Sequence, residues 1–225
     1  MTKTALIIGA GEGISGSFAK ELASEGYKVC LASRNLDNID SIASDIGGFA
    51  DTVDVSSEES IRNLFKKFQK MLGAPDVVLY NPSERLKGSI CDLDISAARK
   101  AINVTAFGAL IAAQEASKSM IPVGKGAIFF TGATASLKGF AHSSVFAMGK
   151  FALRGLSQSL YRELSPLGIH VAHFVIDGVV KRSDLVENSD YFTSAAIAKT
   201  FMSVLKQPKQ AWSLEIELRP SSEKF

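Results

Sequence analysis

Two cysteines and three histidines are all that 225 residues supply of the side chains that build disulfide frameworks and soft-metal sites. Cys30 and Cys91 lie far apart in no C-x-x-C spacing, which excludes a stapled scaffold and fits a reducing cytoplasm. His142, His170 and His173 have no metal-ligand partner in sequence, so no metal is expected. Charge of one sign is lacking too: 25 Lys and Arg stand against 23 Asp and Glu, and the basic residues are scattered. That balance leaves no footprint for nucleic acid or an anionic membrane. No apolar run approaches the ~18 residues of a membrane span. Met1 to Thr4 pass directly into Ala5-Leu6-Ile7-Ile8 and then glycines, which reads as a first strand and not as a secretory leader. Nor is there a proline-rich linker, a low-complexity tract or an internal repeat, so residues 1–225 read as a single domain.

What is present is alternation. Short apolar runs at Ala5–Ile8, Lys28–Ala32, Phe49–Val53, Asp76–Tyr80, Ala127–Thr131, Ile169–Ile176 and Trp212–Leu218 read as strands. Between them fall helical patterns over Gly13–Glu25, Leu36–Ile46, a stretch opening at Ser57, and two longer runs at about 96–120 and 143–164. With 46% hydrophobic residues to fill a core, this order predicts an α/β Rossmann-type fold. Its doubly wound parallel sheet has about seven strands, with helices on both faces.

The first strand runs into Gly9-Ala10-Gly11-Glu12-Gly13 and then a helix beginning at Ile14. Glycine permits the sharp turn and the close approach of backbone to a ligand, and the helix N-terminus offers amides to a pyrophosphate. Strand, glycine turn and helix together predict a dinucleotide site; the bland alternative is a tight turn without ligand. The end of the second strand usually sets adenosine specificity. There stand Ser33 and Arg34, where an acid would favour NAD(H), so a guanidinium favours NADP(H). Glu12 weighs against a phosphate. Asp54, with the adjoining Val55, is a candidate for the adenine, and Asp54 is equally suited to cap the turn leading to Ser57.

Further segments recur in a known order: Asn81-Pro82-Ser83 after the fourth strand, Asn103 in Ile102-Asn103-Val104-Thr105, Phe146-Ala147-Met148-Gly149-Lys150, and Asp177-Gly178 after the sixth strand. Together with the glycine turn, they make the chain resemble the short-chain dehydrogenase/reductase family from Thr4 to Pro220. The turn is similar to that family's TGxxxGIG, with Ile8 for the threonine and Ser15 for the last glycine. Asn81 falls at NAG, and Asn103 at the asparagine that holds a water in the family's proton relay. Phe146 and Lys150 fall at YxxxK, and Asp177 replaces a proline. The resemblance implies that Lys150 holds the cofactor ribose and that Gly178 lies beside the cofactor. It also implies that Phe146 and Ala133 stand at the positions of the family's catalytic tyrosine and serine. Neither side chain can donate a hydrogen bond. Losing a general acid costs about 10²–10⁴ in rate, and losing an oxyanion donor about 10²–10³.

Thr134, Ser136, Ser143, Ser144 and His142 surround the two vacated positions as possible substitutes, although Ser143 and Ser144 suit a helix N-cap and a loop histidine suits solvent. Lys150 has its own bland reading as a cation snorkelling from a long helix. Two functions remain open. One is an NADP(H)-dependent oxidoreductase of a small carbonyl or alcohol substrate with a degenerate catalytic set. The other is a non-catalytic cofactor-binding protein that senses redox state or scaffolds an active partner; a member that has lost the cofactor is a third, lesser case. Near 178–192 the family closes a lid over substrate; here the segment is short and charged, predicting an open, polar cleft. The small residues Ala106, Gly108, Ala109, Ala112 and Ala113 suggest helices that pair between subunits in a homodimer or homotetramer.

Overall fold

In the computed structural model, which describes residues 2–181 and 191–222, seven strands form one parallel sheet. They are β1 (Thr4–Ile8), β2 (Lys28–Ser33), β3 (Phe49–Thr52), β4 (Val77–Tyr80), β5 (Gly126–Thr131), β6 (Ile169–Ile176) and, last in the chain, β9 (Glu215–Leu218). Their spatial order is β3-β2-β1-β4-β5-β6-β9, so the winding reverses between β1 and β4. In sheets of this type the ligand crevice opens at such a reversal, outside the carboxyl ends of the strands. Strands covered on both faces read as unbroken apolar runs; β1, β4 and β6 are buried at every residue.

Alternate residues of each strand enter opposite cores. Leu6 and Ile8 join Phe65, Ala112 and Leu153 beneath α3 (Glu58–Leu72), α5 (Gly108–Met120) and α6 (Ser144–Leu164). Ala5 and Ile7 join Phe18, Ile42 and Phe201 beneath α1 (Ile14–Ser24), α2 (Asp40–Asp45) and α7 (Ser194–Leu205). The second core is aromatic: the Phe201 ring lies 5.4 Å from Phe18 and 4.0 Å from Phe174. Local chemistry sets the ends of α3. The Ser57 hydroxyl accepts the Ser60 amide at 3.2 Å, and Gly73 terminates the helix at φ +79; such a cap contributes about 1 kcal/mol.

The helix expected over 96–120 is interrupted. After α4 (Ile95–Ile102), residues Asn103–Phe107 form a π turn before α5. Beneath it on the same face of the sheet, the buried Tyr80 hydroxyl donates to the Val104 carbonyl, giving that acceptor a partner outside the helix. Gly108 passes so close that a Cβ would meet that hydroxyl at 2.3 Å. The small residues expected to pair subunits are likewise turned inward. Gly108, Ala109, Ala112 and Ala113 are buried within the chain, because α5 must approach β4 closely. The apolar side chains that face outward there are Phe107 and Leu110, joined on α6 by Met148 and Phe151. Sequence reading also gives residues 194–205 no element, where α7 packs against α1. It likewise misses the short parallel pair of β7 (Val180–Lys181) and β8 (Phe192–Thr193). The expected charged lid residues Arg182, Asp184, Glu187 and Asp190 lie outside the described residues. Among the described residues, no helix is long and apolar enough to cross a membrane, and no His, Cys, Asp and Glu cluster can hold a metal.

Candidate functional site

The glycine turn is locked from several sides. The amides of Gly9 and Ala10 both donate to the Ala32 carbonyl at the end of β2 (2.9 and 3.0 Å). Gly9 has φ +76, and a Cβ there would meet the Pro82 ring at 2.6 Å. Asn81 Nδ2 donates to the Gly9 carbonyl at 3.1 Å. Underneath, the buried Ser15 hydroxyl accepts the Gly11 amide at 3.1 Å. Gly13 is the N-cap of α1 and brings no side-chain cap, so the first amides of that helix are left for a ligand.

Beyond the turn a cleft runs along the carboxyl ends of the strands in three joined compartments. The first is walled by Gly9, Ser33, Arg34, Val53, Val55 and Asn81. The second is walled by Ile14, Asn81, Thr131, Phe146, Lys150 and Gly178. In the third, Arg85, Lys87, His142 and Ser143 surround Ala133 and Phe146. Asn81 belongs to the first two compartments, and Arg85, Ala133, Phe146 and Gly178 to the last two, so the cleft is continuous. Volumes of about 360, 450 and 390 Å³ give each compartment the size of a small-molecule site.

The middle compartment has unusual electrostatics. Lys150 is only 2% exposed, and its Nζ donates to the Thr131 carbonyl at 2.6 Å. Burial, with the Arg85 guanidinium as a second cause, pulls the Lys150 pKa down to about 7. Its ammonium carries three donors, so two remain for a ligand. Thr131 Oγ1 is buried in the same wall and has no hydrogen-bond partner. A buried hydroxyl left so costs about 1–3 kcal/mol, which a ligand oxygen or water would recover. Above the Phe146 ring lies the Arg85 guanidinium, 4.5 Å from the centroid, with Lys150 Nζ at 5.9 Å.

Ala133 is held by a buried relay. Its amide donates to Ser136 Oγ at 3.2 Å, and Ser136 Oγ lies 3.4 Å from His173 Nε2. His173 Nδ1 meets Glu215 at 3.1 Å, and Arg154 grips that carboxylate through two bonds of 2.8 and 2.6 Å. Burial outweighs the carboxylate beside His173 and lowers its pKa to about 4. The ring is therefore neutral at physiological pH: Nδ1 donates to Glu215, and Nε2 accepts from Ser136.

Several residues singled out from the sequence lie away from these walls. Glu12 lines a separate groove with Lys20 and Asp45, whereas Arg34 lines the first compartment. Asp54 turns its carboxylate onto Ser56, whose hydroxyl and amide hold its pKa below the usual range, while the flanking Val53 and Val55 face the first compartment. Asn103 opens the π turn, with its carbonyl accepting the Gly108 amide; its neighbour Val104 reaches the cleft. Of the candidate substitute donors, the Thr134 hydroxyl is bonded to Asp177, Ser136 is fully buried, and Ser143 occupies the N-cap of α6 without capping it. His142 is exposed on the outer wall, at φ +58. Arg85 and Thr131 escape sequence reasoning. One signal was available for both: each follows or ends a central strand on the edge where ligands bind.

A family model described as short chain dehydrogenase matches residues 3–191. An uncharacterized oxidoreductase of Staphylococcus aureus (strain N315) is 27% identical over 224 residues, covering 97% of each chain. Among solved structures, a short-chain dehydrogenase from Rhodopseudomonas palustris is 31% identical with a TM-score of 0.86, covering 97% of this chain and 98% of that one. An alcohol dehydrogenase from the archaeon Thermococcus sibiricus, complexed with 5-hydroxy-NADP, is 25% identical with a TM-score of 0.89, covering 100% of this chain and 99% of that one.

Proposed function

We propose, from the premise that this chain belongs to the short-chain dehydrogenase family, that it is an NADP(H)-dependent oxidoreductase of a small carbonyl or alcohol substrate, working without the family's tyrosine and serine. The observation that carries this reading is the continuous cleft, with Arg34 in its first compartment and Lys150 beside the orphaned Thr131 hydroxyl in its second. A dinucleotide fits these walls. The turn and the first amides of α1 hold the pyrophosphate, Val53 and Val55 flank the adenine, and Ser33 and Arg34 bind a phosphate on its ribose. Lys150 Nζ and Thr131 Oγ1 meet hydroxyls at the nicotinamide end. Glu12, in its separate groove, does not oppose the phosphate. The archaeal relative complexed with 5-hydroxy-NADP adds support.

The bound cofactor supplies or accepts a hydride. The accompanying proton needs a group that changes state near neutrality, and Lys150 Nζ is such a group in the compartment. Phe146 and Ala133 contribute shape and exclude water but move no proton. We place the protein in the cytoplasm, consistent with its two free cysteines, as one domain spanning residues 1–225. We also propose that it forms a homo-oligomer through the outward faces of α5 and α6. Phe107 and Met148 are 56% and 62% exposed there, more apolar surface than a free helix face favours.

Calorimetric titration with NADPH and NADH, followed by nicotinamide absorbance over a panel of carbonyl compounds, tests the reading. Preferential NADPH binding with slow turnover is the expected result. Tight binding with no turnover on any substrate would instead make the protein a cofactor-dependent sensor or scaffold, and absence of binding would refute the site.

A further inference from the structure

We infer that the outer compartment of the cleft is a carboxylate-binding subsite anchored by Arg85, so that the substrate is an acidic carbonyl or hydroxy compound. This rests on the oxidoreductase reading and names the substrate class of that same cleft. Arg85 forms part of the wall of both the middle and the outer compartment beside Phe146, and not of the compartment that holds Ser33 and Arg34. It is therefore placed for substrate and not for the adenosine phosphate.

The guanidinium is positioned but unspent. Stacking 4.5 Å above the Phe146 ring orients it and uses only its flat face. The in-plane edge, with its five N–H donors, is the part that grips a planar carboxylate through two parallel bonds. Among the described residues no carboxylate or carbonyl takes those donors. The loop around Arg85 is tied down at both ends: the Glu84 amide donates to Thr105 Oγ1 at 3.2 Å, and the Gly88 amide to the His142 carbonyl at 3.1 Å. Arg85 is thus held at the site by the same tethers that bring Lys87 and His142 to the outer compartment.

The charge around it is one-sided. Among the described residues, Arg85, Lys87 and Lys150 line the two compartments, and no Asp or Glu lines either. Of the two carboxylates adjoining that wall in sequence, Asp177 is engaged by the Thr134 hydroxyl and the Arg219 guanidinium, and Glu84 lines the first compartment. Uncompensated cations converging on a cleft with a low-dielectric wall focus field onto an anion. Phe146 and Ala133 then have a positive role: they clear two hydroxyls from the space and leave an apolar platform under the guanidinium.

The test uses NADPH-loaded protein at low salt and titrates it calorimetrically with malonate, with dimethyl malonate as the neutral isostere, and with inorganic phosphate. Malonate is expected to bind and the diester not. Arg85→Met, which keeps the apolar stem, is expected to lower malonate affinity by about 10- to 100-fold. Arg85→Lys should restore only part of it, since a point charge cannot form the paired bonds. Thermal melts confirm that both variants are folded. Equal binding of malonate and its diester, no malonate binding, or an Arg85→Met variant that binds malonate like the parent would each overturn the subsite. Phosphate binding as tightly as malonate through Arg85 would overturn the carboxylate assignment in favour of a tetrahedral oxyanion. NADPH is titrated separately: loss of its affinity in Arg85→Met would reassign Arg85 to the cofactor. Failure of the parent to bind NADPH would strike the oxidoreductase reading itself, a result distinct from failure with malonate.

Discussion

At its first compartment the cleft is shaped by a backbone turn: Gly9 and Ala10, whose amides are tied to the end of β2, meet the bend at Ser33 and Arg34 and the residues following β3. At the middle and outer compartments it is walled by side chains, with Arg85 arriving from the loop after β4, Thr131 from the end of β5, and Phe146 and Lys150 from α6. The difference is one of what can change. A backbone cradle depends on conformation, and losing it means disturbing β1, β2 and the loop after β4 together. A side-chain constellation depends on identity, and two substitutions can remake its chemistry while the sheet is untouched. A single scaffold can thus keep its dinucleotide end and rewrite its reacting end.

The largest expected effect comes from restoring the side-chain end alone. Phe146→Tyr combined with Ala133→Ser should raise hydride transfer to simple neutral ketones by about 10²–10⁴, while NADPH affinity stays where it was. Stopped-flow absorbance checks the first and calorimetry the second; a change confined to affinity would show that the two ends are not independent. Next is Gly9→Ala, which strikes the backbone end. The left-handed φ costs about 1–3 kcal/mol, and displacing the Pro82 ring costs about as much again. Its thermal midpoint should fall and its NADPH and NADH affinities should drop together by about 100-fold. A smaller and more selective effect is expected of Arg34→Met. Loss of one charge-assisted contact, about 1.5–3 kcal/mol, should weaken NADPH and leave NADH unchanged; parallel titrations decide whether that end discriminates through this side chain.

The smallest step per unit change concerns pH. Lys150 titrates near 7 in the folded protein, against an ordinary value of 10.5. Between those values the unfolded chain holds a proton that the folded chain does not. Stability of the cofactor-free protein therefore rises with pH through that window, by about 1.4 kcal/mol per unit from this group. Denaturant melts between pH 7 and 10 should show that slope in the parent and a flatter one in Lys150→Met. Equal slopes would mean that Lys150 is not desolvated at the middle compartment.

How much of this was legible in the sequence follows the same divide. All seven sheet strands announce themselves as apolar runs, and the glycine turn lies in five consecutive residues, so the first compartment can be located from local pattern. The π turn at Asn103–Phe107 cannot, because the partner of its Val104 carbonyl is the hydroxyl of Tyr80, more than twenty residues away and across a packing interface. The inward turn of Ala109 and Ala112 is invisible for a related reason: small residues permit close approach without saying to what. Helix α7 is a different case, since Ile197, Ala198, Phe201 and Met202 carry a helical period that is legible in the sequence itself. Arg85 is a lone cation in a loop, and only the ring beneath it shows what it does.

Helix α6 is fastened at three successive points on the sheet side. Lys150 is bonded to the end of β5, Arg154 to Glu215 in β9, and the Tyr161 hydroxyl to the Trp212 carbonyl at 3.1 Å. A helix riveted along its length can neither slide nor tilt to admit a bulkier guest, so the Phe146 side of the cleft is a fixed jaw. Adaptation to substrate size then falls to side-chain changes in the loops at Arg85 and Gly178. In a lineage that changes substrates, sequence should therefore drift in those loops while the spacing of Lys150, Arg154 and Tyr161 stays put.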